Sequence, residues 1–245
     1  MHNVNVGVES RPGWILAIDT SSEQLGVALS DGQSAAELSW PAGRQQSAVL
    51  LPAIEALLAR QGLTVGELGA IAVAIGPGTF NGLRAGLGTA KGLALGSGLP
   101  LIGVGTLAAT VLPVLVPGRL AVGVVGAGRR RVVSAVYAAG ADGLPDPIEV
   151  GAAHNGSIDD LGRRLAGLSG PLTLVGEVED HRLAAMMREA GQADVWVPPS
   201  PARGRRPASV AAIGYARWRR GEVDDPDTLD AVYLHSTPRP AATAP

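Results

Sequence analysis

The chain has 245 residues, 46% hydrophobic but only 3% aromatic, so its core must be built from aliphatic and small side chains. Twenty basic against 22 acidic residues leave a net charge of −2, which excludes a global field that would draw in nucleic acid. No cysteine is present, which excludes disulfides and thiolate metal sites, and no apolar run reaches the roughly 20 residues of a membrane helix.

In chain order, residues 1–12 read as a flexible extension without a hydrophobic signal core, and a cytoplasmic location is expected. Ile15–Ile18 is a buried-strand run that ends in the polar turn Asp19-Thr20-Ser21-Ser22. Leu25–Ser30 and Ser34–Trp40 read as strands joined by an Asp31-Gly32 hairpin turn. A helix is expected over Gln46–Gln61, ended by Gly62, then a strand over Ala70–Ile75 and a glycine turn at Gly76-Pro77-Gly78. Phe80–Leu95 reads as a helix, Leu101–Val104 as a strand and Thr106–Val116 as a helix. Leu120–Val125 and Arg131–Ala138 form a strand pair. Ile158–Leu168, Glu179–Ala190 and Pro207–Arg220 read as helices, Leu172–Val175 and Asp194–Val197 as strands, and residues 236–245 as a disordered tail.

The opening order βββαβαβα mixes an antiparallel meander with βα crossovers. This is the layout of the actin-like ATPase and sugar-kinase lobe, an α/β fold of two lobes, here expected over 13–117 and 118–235.

Two motifs invite chemistry. Asp19 after the first strand could hold Mg²⁺. Its turn has no glycine to let backbone approach a phosphate, so a side-chain-stabilised turn is the preferred reading. Gly76-Pro77-Gly78-Thr79-Phe80-Asn81-Gly82-Leu83-Arg84 opens a helix with free amides, an anion site in principle. It matches neither common nucleotide pattern: Asn81 stands where a dinucleotide fingerprint needs glycine, and the only lysine, Lys91, lies deep in the helix. The nucleotide site therefore reads as degenerate, with no cofactor expected. His2, His154, His181 and His235 show no i, i+4 pair, so no metal site is expected. The clusters Arg129–Arg131, Arg203/Arg205/Arg206 and Arg217/Arg219/Arg220 could touch RNA phosphates but read as solvated faces.

Two helices invite a partner. Gly82, Gly86, Ala90 and Ala94 recur every four residues, as do Gly88, Gly92 and Gly96, and helix-interior glycines of this number need close packing to offset their cost of about 0.5–1 kcal/mol each. The two stripes allow two close neighbours, one within the domain and one outside; the alternative is that both line the chain's own core. In the earlier helix Val49, Leu50, Leu51, Ile54, Leu57 and Leu58 cover more than one narrow face. The expected interface comprises Leu50, Leu51, Ile54 and Leu58 with Arg84, Gly88, Lys91 and Gly92; Leu51, Ile54 and Leu58 are its apolar anchors.

Ile15-Leu16-Ala17-Ile18-Asp19-Thr20-Ser21, Leu50-Leu51-Pro52, Gly76–Arg84 and Gly103-Val104-Gly105-Thr106-Leu107 together resemble the TsaB (YeaZ-like) family over about residues 14–110. The resemblance implies an actin-like fold without ATPase activity. It implies a non-catalytic subunit that pairs with TsaD and TsaE and supports threonylcarbamoylation of adenosine 37 in ANN-reading tRNAs, with tRNA contact indirect or weak. The His-x-x-x-His metal motif of the catalytic relative is absent from this sequence. Alone, such a chain is expected to form a homodimer. The rival readings are an ATPase or small-molecule kinase using Asp19 for Mg²⁺, and an RNA-binding module.

Overall fold

The computed structural model describes residues 13–128, 131–140, 145, 147–176, 188, 191, 194–199 and 203–234. The extension expected over 1–12, the tail over 236–245, most of the helix expected at Glu179–Ala190, and Arg129 and Arg130 lie outside the described residues.

Strands β1 (Trp14–Asp19), β2 (Gln24–Ser30) and β3 (Ala35–Pro41) form the meander. Its second turn is held by the Asp31 carboxylate, which accepts hydrogen bonds from the amides of Ser34 at 2.7 Å and Gln33 at 2.9 Å. Those two bonds, Ser34 first, hold the Asp31 carboxyl below its ordinary pKa. Helix α1 (Gln46–Gln61) ends at Gly62, whose φ of 65° suits the left-handed cap. Then come β4 (Leu68–Gly76), α2 (Phe80–Ser97), β5 (Leu101–Gly105) and α3 (Thr106–Val111). The first sheet has the order β3-β2-β1-β4-β5, with β1 antiparallel to β2 and parallel to β4.

Alternation along β1 sorts the first sheet's two faces. Leu16 and Ile18 join Leu50, Ile54, Leu57 and Leu87 under α1 and α2. Ile15 and Ala17 point the other way, into a layer of alanines (Ala28, Ala70, Ala72, Ala74). These small side chains let a late helix, α5 (Pro207–Arg219), lie close; a Cβ on its Gly214 would stand 2.5 Å from that of Ala72. Each fully buried leucine or isoleucine contributes roughly 1.5–3 kcal/mol, so the first sheet carries a large share of the folding free energy.

The second sheet joins β6 (Leu120–Gly126), β7 (Arg131–Ala138), β8 (Ile148–Ser157), β9 (Leu172–Gly176) and β10 (Val195–Trp196) in the order β10-β9-β6-β7-β8. Helix α4 (Ile158–Ala166) starts in a capping box, with Ser157 and Asp160 bonding each other's amides.

Three expectations are corrected. Helix α3 stops at Val111 rather than Val116, because Pro113 brings a short 3₁₀ turn over Leu112–Val114. Strand β8 was not expected at all. And α5, expected within the second lobe over 118–235, packs on β1, β2 and β4 of the first sheet. The segment after it stays there too: the Asp224 amide donates to the Leu101 carbonyl at 2.8 Å and the Val232 amide to that of Ile75 at 2.7 Å.

Candidate functional site

The two motifs singled out in the sequence occupy each other. The turn Asp19–Ser22 lies under the start of α2. The Thr79 amide, one of those that could have received an anion, donates to the Ser21 carbonyl at 2.8 Å. Thr20 donates its hydroxyl to the Gly82 carbonyl at 2.7 Å, and the Gln46 side-chain amide from α1 donates to the Ser22 carbonyl. A Cβ at Gly78 would overlap the Ser21 carbonyl, one at Gly82 the Thr20 carbonyl, and one at Gly86 the Thr20 hydroxyl. The glycines therefore serve a backbone-close seat for the helix on the turn.

Asp19 is equally committed. One carboxylate oxygen accepts hydrogen bonds from the Ser21 amide at 2.9 Å and from the Ser21 hydroxyl. The other stands 3.4 Å from Arg205 Nε, with both side chains almost fully buried. A metal–nucleotide ligand is what an ATPase of this fold would need at this turn, and the residues present do not fit it. The carboxylate faces an arginine, and the turn's backbone faces α2. Among the described residues, no group of three His, Cys, Asp or Glu could hold a metal ion.

The expected interface residues divide. Leu50, Ile54 and Leu58 are 0%, 2% and 6% exposed and belong to the chain's own core, so they are corrected out of any partner-facing set. With about 100° per residue, Leu51 lies about 60° from Ile54, at the rim of the buried arc, and is 47% exposed. On α2 the stripe Gly82, Gly86, Ala90 and Ala94 is buried, whereas Gly88, Gly92 and Gly96 have open space above them. Lys91 is half-buried beside that open stripe, and Arg84 is exposed.

Two exposed apolar residues escaped the sequence reading of the interface. Leu95, 64% exposed, sits seven residues after Gly88 and three after Gly92, a spacing that could have placed it on their face. Phe80, the only phenylalanine, is 51% exposed, with the Arg84 guanidinium 3.9 Å from its ring centre and Tyr233 at 5.5 Å.

Among the described residues, several of the clustered arginines are answered from within. Arg206 pairs with Glu37 at 2.6 Å, and Arg217 and Arg220 share Glu222 at 3.2 and 2.6 Å. The Arg220 hydrogen bond, first among several causes, holds the Glu222 carboxyl below its ordinary pKa. Charges balanced in this way leave little net attraction for phosphates.

The strand order, the antiparallel start and the two sheets define a two-lobed α/β protein of the actin-like class, in which the nucleotide turn is filled by the chain's own groups. The family model described as TsaD: tRNA N6-adenosine threonylcarbamoyltransferase matches residues 41–164, half of the chain. The TsaB protein of Escherichia coli strain K12, a tRNA threonylcarbamoyladenosine biosynthesis protein, is 44% identical over 94 residues, 38% of this chain and 40% of that one. TsaB of Haemophilus influenzae is 40% identical over 95 residues, 39% of this chain and 40% of that one. The match thus spans about two-fifths of the length of these relatives. YeaZ from Pseudomonas aeruginosa superposes with a TM-score of 0.74 at 21% identity, covering 91% of this chain and all of that one. The chain belongs to the family that this model describes and, within it, to the TsaB/YeaZ group.

Proposed function

We propose that this protein is a cytoplasmic, non-catalytic subunit that pairs with TsaD, together with TsaE, and so supports threonylcarbamoylation of adenosine 37 in ANN-reading tRNAs. The observation that carries this reading is the outer face of α1 and α2. Gly88, Gly92 and Gly96 present bare helix backbone to open space beside the exposed Leu95, and Leu51 is exposed on α1. A face of this kind favours a second helix pair at close range, with Arg84 and Lys91 as its polar rim. The committed Asp19 turn and the missing His-x-x-x-His motif support an accessory rather than a catalytic role. The names of the relatives support the pathway.

Without TsaD, the same face pairs with a second copy of the chain, so sedimentation at tens of micromolar, the order of a weak interface, should show a dimer. In a reconstituted mixture, Leu51→Asp and Leu95→Asp should stay folded, lose TsaD binding and fail to support tRNA modification. Folded variants that bind TsaD normally would remove this face from the interface. ATP turnover by the purified chain that Asp19→Ala abolishes would replace the accessory reading with the kinase-like one.

A further inference from the structure

We infer that Arg205 is a built-in cation: its guanidinium occupies the place beside Asp19 that a divalent ion would take, and closes the turn without metal. The residue comes from 186 positions downstream, in the short segment where the chain leaves the second sheet and enters α5. Its side chain is 8% exposed and that of Asp19 6%. A carboxylate this deeply buried is strongly disfavoured unless a positive charge faces it. Ser21 satisfies one oxygen with two hydrogen bonds, and the guanidinium at 3.4 Å answers the other.

Arginine suits this task because it keeps its charge at any physiological pH and cannot dissociate. A divalent ion beside the same oxygen would meet the guanidinium at close range, so the two exclude each other. A cavity of about 500 Å³, lined by Gln24, Glu37, Trp196, Arg205 and Arg206 among others, opens beside the arginine. Removing the guanidinium should therefore uncover a weak oxygen site that ions can reach.

The test is made on the full chain, with Mn²⁺ as the probe, read by thermal unfolding and by the paramagnetic resonance of free Mn²⁺. It reads no tRNA modification, so its outcome is separate from that of the accessory reading. At about 10 mM Mn²⁺, above the range of weak oxygen sites, the wild type should show neither bound ion nor a shift in Tm. Arg205→Gln should lose about 5–15 °C in Tm. Mn²⁺ should restore part of that loss, and the further change Asp19→Asn should abolish the response. Arg205→Lys, which keeps a charge, should remain indifferent to Mn²⁺. If Arg205→Gln folds only when Mn²⁺ is present, the inference is supported; failure to fold with or without the ion overturns it. So does Mn²⁺ binding by the wild type that Asp19→Asn removes, or a folded Arg205→Gln that is as stable as wild type or ignores the ion.

Discussion

Along one side of α2, Gly82, Gly86, Ala90 and Ala94 press into the first sheet and the Asp19–Ser22 turn; along the other, Gly88, Gly92 and Gly96 face open space. The two stripes share a spacing and a composition. On the inner side each missing side chain is matched by an atom of the chain itself, so the glycine's helix penalty is offset within the fold. On the outer side nothing among the described residues offsets it. A helix that keeps three glycines on an open face carries a destabilisation of about 1 kcal/mol at each. Small-residue periodicity thus marks close approach without saying whose backbone approaches.

The inner stripe is the more sensitive of the two. Gly82→Val would drive a side chain into the Thr20 carbonyl and should cost at least about 3 kcal/mol. Ile54→Asp, beneath the same helices, leaves an unpaired carboxylate in the core at about 3–5 kcal/mol. Circular dichroism melts should show Tm lowered by about 6–20 °C in both variants, and a normal melt for either would contradict the burial described. Gly92→Leu tests the outer side. It should melt within a few degrees of wild type yet weaken self-association and TsaD binding at least tenfold, about 1.4 kcal/mol, by sedimentation and titration calorimetry. The smallest effect comes at concentrations low enough to keep the chain monomeric, where Gly88→Ala and Gly96→Ala should each stabilise it by about 0.5–1 kcal/mol. A fall in Tm for either would mean that the open stripe has a contact within the chain after all.

Much of the first lobe was legible because its signals are local. The helix at Gln46–Gln61 shows in its apolar spacing and its terminal glycine, and α2 in the motif that opens it. The interface anchors were misread for a geometrical reason: Leu51, Ile54 and Leu58 share a helical side, but the buried arc is centred toward Leu50 and Leu57 and leaves Leu51 at its edge. Strand β8 was invisible because Ile-Glu-Val-Gly-Ala-Ala-His-Asn-Gly-Ser has no steady alternation, and pairing with β7 supplies what its composition does not. The return of α5 to the first sheet and the meeting of Arg205 with Asp19 are long-range events. Spacing along a sequence carries no record of such a contact.

The late return of α5 also sets the order in which the protein can be completed on the ribosome. The five strands of the first sheet have been translated once Gly105 is joined, but the helix that covers their alanine face ends at Arg219. The 114 residues between them take about 6–23 s to translate at ordinary elongation rates. Throughout that interval Ala17, Ala28, Ala70 and Ala72 face water or a chaperone, and the whole second sheet is made while the first is still half-clad. Stalled nascent chains make this visible. With residue 150 outside the exit tunnel, β1–β5 should be cut readily by protease, and with residue 234 outside, they should resist it.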